Sequence, residues 1–325
     1  MALRILPFLV ACLYLAPPLC AQPRLVTQAV RAFEQQDWAQ AQALIDQATA
    51  MPAAEQQPCT WYYRGVIYEK LLRNNPAVAA SATFLEQTLA AYQKVLELAP
   101  AASQYYSFAK INLNGLWEYY LYRGVRYYKQ EAFERAIAQF DVCKRLMPKD
   151  TSAYLYTGIA AQQEGHYEQA LQNYAQYQQL GGKSPAVYRT VAHLTDRHLN
   201  DPAQALKILD QALLLYPFSD DLLQEQVRLY TAMDREVDRE AWLQAQIAAA
   251  SEEPAYPYQL AYWYAQDAQL HKALEYYQQA ADLAPKQVEP IRQQGAIYYN
   301  QAVQMLNKMD ALPEEEFQKT GVVLI

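Results

Sequence analysis

Glycine is scarce in this chain of 325 residues, numbering only 9, and no run of lysine and arginine occurs anywhere. So little glycine, beside dominant Ala, Gln, Leu and Tyr, excludes a Gly-rich sandwich or barrel and favours helix. The formal charge of −7 is mild and spread along the chain, which excludes nucleic acid as the expected partner. Beyond the N-terminus no stretch is apolar enough to span a membrane. Nucleophile motifs are missing as well: there is no G-x-S-x-G, no S-x-x-K with plausible partners and no H-E-x-x-H. The stretch "LGGKSP" (180–185) lacks the first glycine of a phosphate loop and follows no strand, so it reads as a helix stop. His166, His193, His198 and His271 keep no ligand spacing with any cysteine, which argues against a metal. The expectation is a protein that is not an enzyme and has no cofactor.

Residues 1–21, "MALRILPFLVACLYLAPPLCA", have the pattern of a secretory signal: one Arg, an apolar stretch from Ile5 to Leu15, a proline break and the small Ala21. Cleavage after Ala21 starts the mature chain at Gln22, exported to a periplasm or cell envelope. A lipoprotein through Cys20 is the weaker alternative, because lipid attachment wants a small residue before the cysteine and Leu19 stands there. The mature chain keeps Cys59 and Cys143. An oxidising compartment permits a disulfide, but their places in different helical units keep them too far apart to pair, and Cys143 is expected as a buried free thiol.

What the chain does have is a period. The stretch "YTGIAAQQEGHYEQALQNYAQY" (156–177) shifted back by 34 residues falls on "YRGVRYYKQEAFERAIAQFDVC". Gly158 then lies on Gly124, Tyr167 on Phe133, Ala170 on Ala136 and Tyr174 on Phe140. Near the C-terminus, "LAYWYAQDAQLHKALEYYQQAADLAP" puts Ala261, Tyr264, Ala273, Tyr277, Ala280 and Pro285 in the same relative places. Tyr154, Gly158 and Ala161 share one helix face at i, i+4, i+7, and Ala170, Tyr174 and Tyr177 share another. Gly165 falls in the turn between them, where positive φ is cheap for glycine. Pro148, Pro217, Pro254 and Pro285 stop second helices.

At these residues the chain resembles the tetratricopeptide (TPR) family, whose 34-residue repeat is a helix–turn–helix. The resemblance covers nearly all of the mature chain, 22–325, as a single array of about eight units: 25–53, 58–100, 116–148, 151–183, 185–217, 220–254, 255–285 and an incomplete 288–325. It implies an all-α, right-handed superhelical solenoid with one continuous core. Two insertions depart from the pattern. One, within "AASQYYSFAKINLNGLWEYYLYRG", lengthens a first helix by about four turns; the other, "LLRNNPAVAASATF", separates the two helices of the second unit. The end, "GVVLI", has the look of either a truncated terminus or a short tail folded on the last helix. Acidic pairs such as Asp220–Asp221 and Glu252–Glu253 suit the starts of helices.

The family lines its concave face with first helices. Its groove positions fall here on Tyr128, Arg189, His193, Gln224, Arg228, Tyr258, Tyr262, Arg292, Tyr299 and Asn300, a mix of tyrosine and arginine suited to binding. The resemblance therefore implies a non-catalytic protein–protein interaction scaffold of the bacterial cell envelope, holding a peptide or helix of a partner in the groove. Two alternatives stay open: a glycan-binding envelope protein stacking sugars on tyrosine, and an accessory module of a longer protein cut off at residue 325.

Overall fold

The computed structural model describes residues 24–74 and 78–310. The signal pattern at 1–21 and the "GVVLI" end lie outside the described residues. Among the described residues every regular element is a helix. They run as α1 (Arg24–Glu34), α2 (Trp38–Thr49), the single turn α3 (Pro52–Glu55), α4 (Pro58–Asn74), α5 (Val78–Leu98), α6 (Gln104–Lys129) and α7 (Phe133–Leu146). Then come α8 (Thr151–Glu164), α9 (Tyr167–Gln179), α10 (Pro185–His198), α11 (Pro202–Leu215), α12 (Asp220–Ala232), α13 (Glu236–Ala249), α14 (Ala255–Gln266), α15 (Leu270–Leu283) and α16 (Glu289–Asp310). The architecture is all-α and built of helical hairpins, each a first helix followed by a second.

Local chemistry explains where helices begin and turn. The Asp37 and Asp201 carboxylates and the Ser103 hydroxyl each accept from the backbone N–H three residues on, at 3.1, 2.9 and 3.3 Å. Pro185 and Pro202 sit in the first turn, where a missing N–H costs nothing. Each tight hairpin turn passes through one left-handed residue: Gln36, Glu131, Gly165, Asn200, Asp234 and Ala268 all have φ between 54° and 85°. Gly165 is the one glycine among them.

Packing inside a hairpin follows the small-against-aromatic pattern of the repeat. A Cβ placed on Gly158 would come within 2.6 Å of the Tyr174 ring on the second helix. Gly124 against Phe140 and Gly65 against Tyr92 are tighter still, so no side chain fits at either glycine.

The insertions are helical. The first makes α6 a single helix of 26 residues, where α8, α10, α12 and α14 have 12 to 14. The second does not simply separate two helices of ordinary length: both α4, with 17 residues, and α5, with 21, are lengthened. Carrying the extra residues as helix satisfies backbone groups that a loop would leave to solvent.

The periodicity alone suggests one array, but packing divides the chain into two compact units between Ala153 and Tyr154. In the first, Val26, Ala29, Ala41, Ile45 and Ile67 gather around α1, α2 and α4, while Tyr92, Val95, Ala109, Leu116 and Cys143 fill the core around α5, α6 and α7. In the second, Leu209, Leu213, Leu222, Tyr258, Tyr264 and Tyr277 belong to one cluster running from α10 to α16. Cys59 and Cys143 are both buried free thiols. Burial pushes the Cys143 thiol up to about 12, and its Sγ donates to the Trp117 carbonyl at 3.6 Å.

Candidate functional site

The second unit brings four first helices, α10, α12, α14 and α16, into one series, and most of the sequence-predicted residues lie there. Arg189, His193 and Asp196 occupy i, i+4, i+7 of α10, and Asp221, Glu225 and Arg228 occupy the same spacing on α12. The two faces meet as three rungs. Arg189 Nη1 lies 3.5 Å from Asp221 Oδ2, His193 Nδ1 lies 3.5 Å from Glu225 Oε1, and Arg228 Nη2 donates to Asp196 Oδ2 at 2.8 Å. Every rung joins residues 32 apart in the chain, so a helical face repeated once per hairpin has generated the ladder.

Arg228 is the anchor. Besides Asp196 it donates to Glu225 through Nε at 3.1 Å and Nη2 at 2.7 Å. The hydrogen bond to Glu225 raises the Arg228 pKa against the opposing effect of burial. Burial would lift the Glu225 carboxyl, but Arg228 and His193 outweigh it and hold that carboxyl below its ordinary value. A cleft of 260 Å³ opens beside the rungs, lined by Gln162, Arg189, Thr190, His193 and Glu225. Gln224, one turn from Arg228, is exposed.

Two predicted contact residues belong to the interior instead. Tyr258 is 0% exposed and Tyr262 9%. Tyr258 stacks edge-on to Phe218 at 5.0 Å and to Tyr277 at 5.3 Å. Its hydroxyl donates to Asp220 Oδ1 at 2.7 Å. Burial, then Asp220, raises the Tyr258 pKa, and burial with Asp220 and Asp221 lifts Tyr262 to about 12. These tyrosines were assigned to the groove by their place in the repeat; here α14 is buried on nearly every side, so that place faces the packed core rather than solvent.

Asp220 holds three first helices at once. Its Oδ2 accepts from Arg292 Nη2 at 2.8 Å and from Gln293 Nε2 at 2.7 Å, while Oδ1 accepts from the Tyr258 hydroxyl. The Arg292 pKa is raised, first by that hydrogen bond. Asp220 and Asp221, read from sequence as helix-start residues, thus also join α12 to α14 and α16 and to α10. Tyr299, 69% exposed, and Asn300 stand on α16 away from the ladder. Tyr128 belongs to α6 in the first unit, half-buried, with its ring edge-on to Phe133 at 5.5 Å.

Behind the ladder lies a polar network that sequence reading missed. Arg239 on α13 is only 2% exposed. Its Nη2 donates to Gln226 Oε1 at 3.0 Å and to Gln259 Oε1 at 2.7 Å, and Nη1 lies 3.5 Å from Asp210. Gln226 Nε2 closes the set by donating to Asp210 Oδ1 at 2.6 Å. The guanidinium also rests on Trp242, 4.6 Å from its centroid, and near Tyr230 at 5.5 Å. Burial lowers the Arg239 pKa and Asp210 opposes it. The one available signal was register: Asp210, Gln226, Arg239 and Gln259 break apolar patterns in four successive helices.

Among the described residues, no group of three or more His, Cys, Asp and Glu is placed to hold a metal ion, and no helix is long and apolar enough to cross a membrane.

No protein-family model and no curated protein matches the chain by sequence. Solved structures do resemble it. MamA 41-end from Desulfovibrio magneticus RS-1 is 16% identical, with 53% of this chain and 97% of that chain covered and a TM-score of 0.35. YrrB, described as a TPR protein with an unusual peptide-binding site, is 16% identical over 63% of this chain and 97% of its own, at a TM-score of 0.33. A thermophilic TPR protein of Thermus thermophilus is 20% identical over 55% of this chain and 97% of its own, at 0.31. At such scores the likeness says nothing of this chain's partner. The repeated helical hairpin is carried by the chain's own geometry, in recurring left-handed turns and glycine–aromatic packing.

Proposed function

We propose that this tetratricopeptide-type array is a non-catalytic interaction scaffold whose partner is a peptide segment seated on the α10–α12 face. The observation that carries the reading is the cleft beside the three charged rungs, where Gln162, Thr190 and His193 stand next to paired Arg189 and Glu225. The groove arginines are not bare cations: Arg189, Arg228 and Arg292 already hold Asp221, Asp196 with Glu225, and Asp220. A surface of preformed pairs offers donors and acceptors side by side in a fixed geometry, which suits the alternating N–H and C=O groups of an extended backbone better than a run of acidic residues. Arg189, His193, Gln224 and Arg228 are the assigned contacts, with Arg292, Tyr299 and Asn300 extending the face and Tyr128 outside it in the first unit.

Residence in a bacterial periplasm or cell envelope is part of the proposal and rests on the leader pattern at 1–21. A glycan reading would rest on exposed rings such as Tyr122 and Tyr299 and not on Tyr258 and Tyr262, which have no open face for a sugar.

The test separates binding from scaffolding of the fold. Exchanging the two ends of one rung, Arg189→Asp with Asp221→Arg, keeps an ion pair while inverting the charge at each place. If the face binds a partner, affinity capture from envelope extract loses its partners while the thermal midpoint stays put. Partners that persist on the swapped protein, and on a second one carrying Arg228→Glu, would overturn the assignment.

A further inference from the structure

The chain contains a repeated socket, and among the described residues one copy of it is empty. Gly65, Gly124 and Gly158 each take an aromatic ring from an antiparallel neighbouring helix, namely Tyr92, Phe140 and Tyr174. Gly295 holds the corresponding place on α16, shifted on by one repeat from Ala261, and a Cβ built there meets nothing within 4 Å. Around it runs an open apolar stripe: Val288, Ile291, Tyr298 and Met305 are each more than half exposed, and Gly295 and Ala302 are exposed between them. The opposite side of α16 is the one that packs, through Pro290 and Ile297.

The spacing 288, 291, 295, 298, 302, 305 alternates three and four residues, which is the seam of a two-helix coiled coil. We propose that the seam is an interface with a second copy of this chain, formed by two α16 helices packed antiparallel about a two-fold axis. With the axis between residues 296 and 297, Gly295 faces Tyr298 of the second copy, Ile291 faces its Ala302, and Val288 faces its Met305. The two-fold repeats each contact in reverse. Every layer then sets a smaller side chain against a larger one, and each glycine socket receives a tyrosine as the internal sockets do. A parallel pair would set Gly295 on Gly295 and Tyr298 on Tyr298, leaving a void beside a clash. The flanks agree: Arg292 comes beside Tyr299 of the second copy and Gln294 beside its Gln301, so no like charges meet.

The seam rises over about 26 Å of helix, which is short for a permanent interface. Association is therefore weak, with dimer appearing on the order of tens of micromolar. Sedimentation equilibrium of the full mature chain at rising concentration should show mass moving toward twice that of one chain. Gly295→Leu fills open space on a helical backbone, so the monomer keeps its circular dichroism and a thermal midpoint no lower than before while dimerisation weakens at least tenfold; Tyr298→Ala weakens it similarly. Leu214→Ala, at an exposed apolar site on α11, leaves the dimer unchanged. Orientation is read by oxidation: Ile291→Cys with Ala302→Cys forms an intermolecular disulfide, whereas Ile291→Cys alone does not. Cys59 and Cys143 are buried and add no background. A protein that stays monomeric at every concentration overturns the proposal, whether the stripe is then covered by residues 311–325 or by a different protein. So does a dimer indifferent to Gly295→Leu, or one cross-linked by Ile291→Cys alone.

Discussion

In the first unit the lengthened helices α4, α5 and α6 meet at one buried phenol; in the second, guanidinium groups carry most of the ties between hairpins. Tyr92, fully buried on α5, donates to Glu69 Oε2 at 2.8 Å and accepts from Asn112 Nδ2 at 2.8 Å, joining α5 to α4 and α6. Tyr68 donates to Asp46 at 2.7 Å, and Arg73 lies over the Tyr119 ring at 4.8 Å. The second unit reverses the emphasis, with Arg228, Arg292 and the buried Arg239 each bridging two or more helices. The repeat specifies small and aromatic residues inside each hairpin but leaves open how hairpins are joined. A phenol carries no charge into the core and serves where extra helix length has already supplied apolar area. A guanidinium must be desolvated, and every acceptor it loses has to be replaced.

That asymmetry is broken most sharply at Arg239. Arg239→Ala leaves Asp210, Gln226 and Gln259 without their shared donor and should cost about 3–5 kcal/mol. Arg239→Met keeps the volume against Trp242 and should cost less. Urea unfolding gives the magnitude, and hydrogen exchange tells whether protection is lost in α11 to α14.

Next come the glycine sockets, common to both units. Gly124→Ala in the first and Gly158→Ala in the second each drive a methyl into an aromatic ring and should destabilise by about 2 kcal/mol. Gly295→Ala meets open space, so helix propensity alone acts and the protein should gain about 1 kcal/mol or less. Thermal midpoints of the three variants, measured under dilute monomeric conditions, test whether the socket and not glycine itself sets the sign.

A smaller effect separates charge from phenol. The Glu225 carboxyl is held below its ordinary 4.5. A group depressed in the folded state contributes stability that is present above its unfolded pKa and is lost as pH falls through the folded one. The partners around it are Arg228 beside it on α12 and His193 across on α10, with Asp196 sharing Arg228. Being partly exposed, the clamp should account for about 1 kcal/mol. Stability of the second unit should therefore fall below pH 4.5, and Glu225→Gln should flatten that fall. The first unit's Tyr92 is well raised by burial and stays protonated throughout, so it adds no acid dependence.

The sequence made the hairpins legible because period and helix face are both written in residue type. Gly158 and Tyr174 could each be put on a helix face from spacing alone, and Cys59 and Cys143 assigned to separate units, but that the Tyr174 ring fills the Gly158 socket within one hairpin is seen only in the structure. The site was half legible. Arg189, His193 and Arg228 were found from their positions in the repeat, yet Tyr258 and Tyr262, at equivalent positions, are interior. Position in a repeat fixes the direction in which a side chain leaves its helix, but not what the next helix places in front of it. Asp220 shows the same limit: as a first-turn acid it suits the helix dipole, while its three donors come from residues 38, 72 and 73 away.

The turns give the finest comparison, because all of them need one left-handed residue and differ in what fills it. Gly165 adopts φ 85° at no steric cost, and Asn200 and Asp234 belong to the residue types that tolerate this region through their short polar side chains. Ala268, at φ 56°, has neither advantage, nor do Gln36 and Glu131 in the first unit. Ala268→Gly relieves the contact between Cβ and backbone but loosens the unfolded chain, and these two effects oppose each other. The relief of a left-handed alanine is about 1–2 kcal/mol, and the entropic loss about 0.5–1 kcal/mol, so the net gain should be about 0.5 kcal/mol. Asn200→Gly should change little. A higher unfolding midpoint for Ala268→Gly than for Asn200→Gly is the expected order. The reverse order would mean that the turn, unlike the sockets, is set by the packing of α14 on α15 rather than by its own backbone.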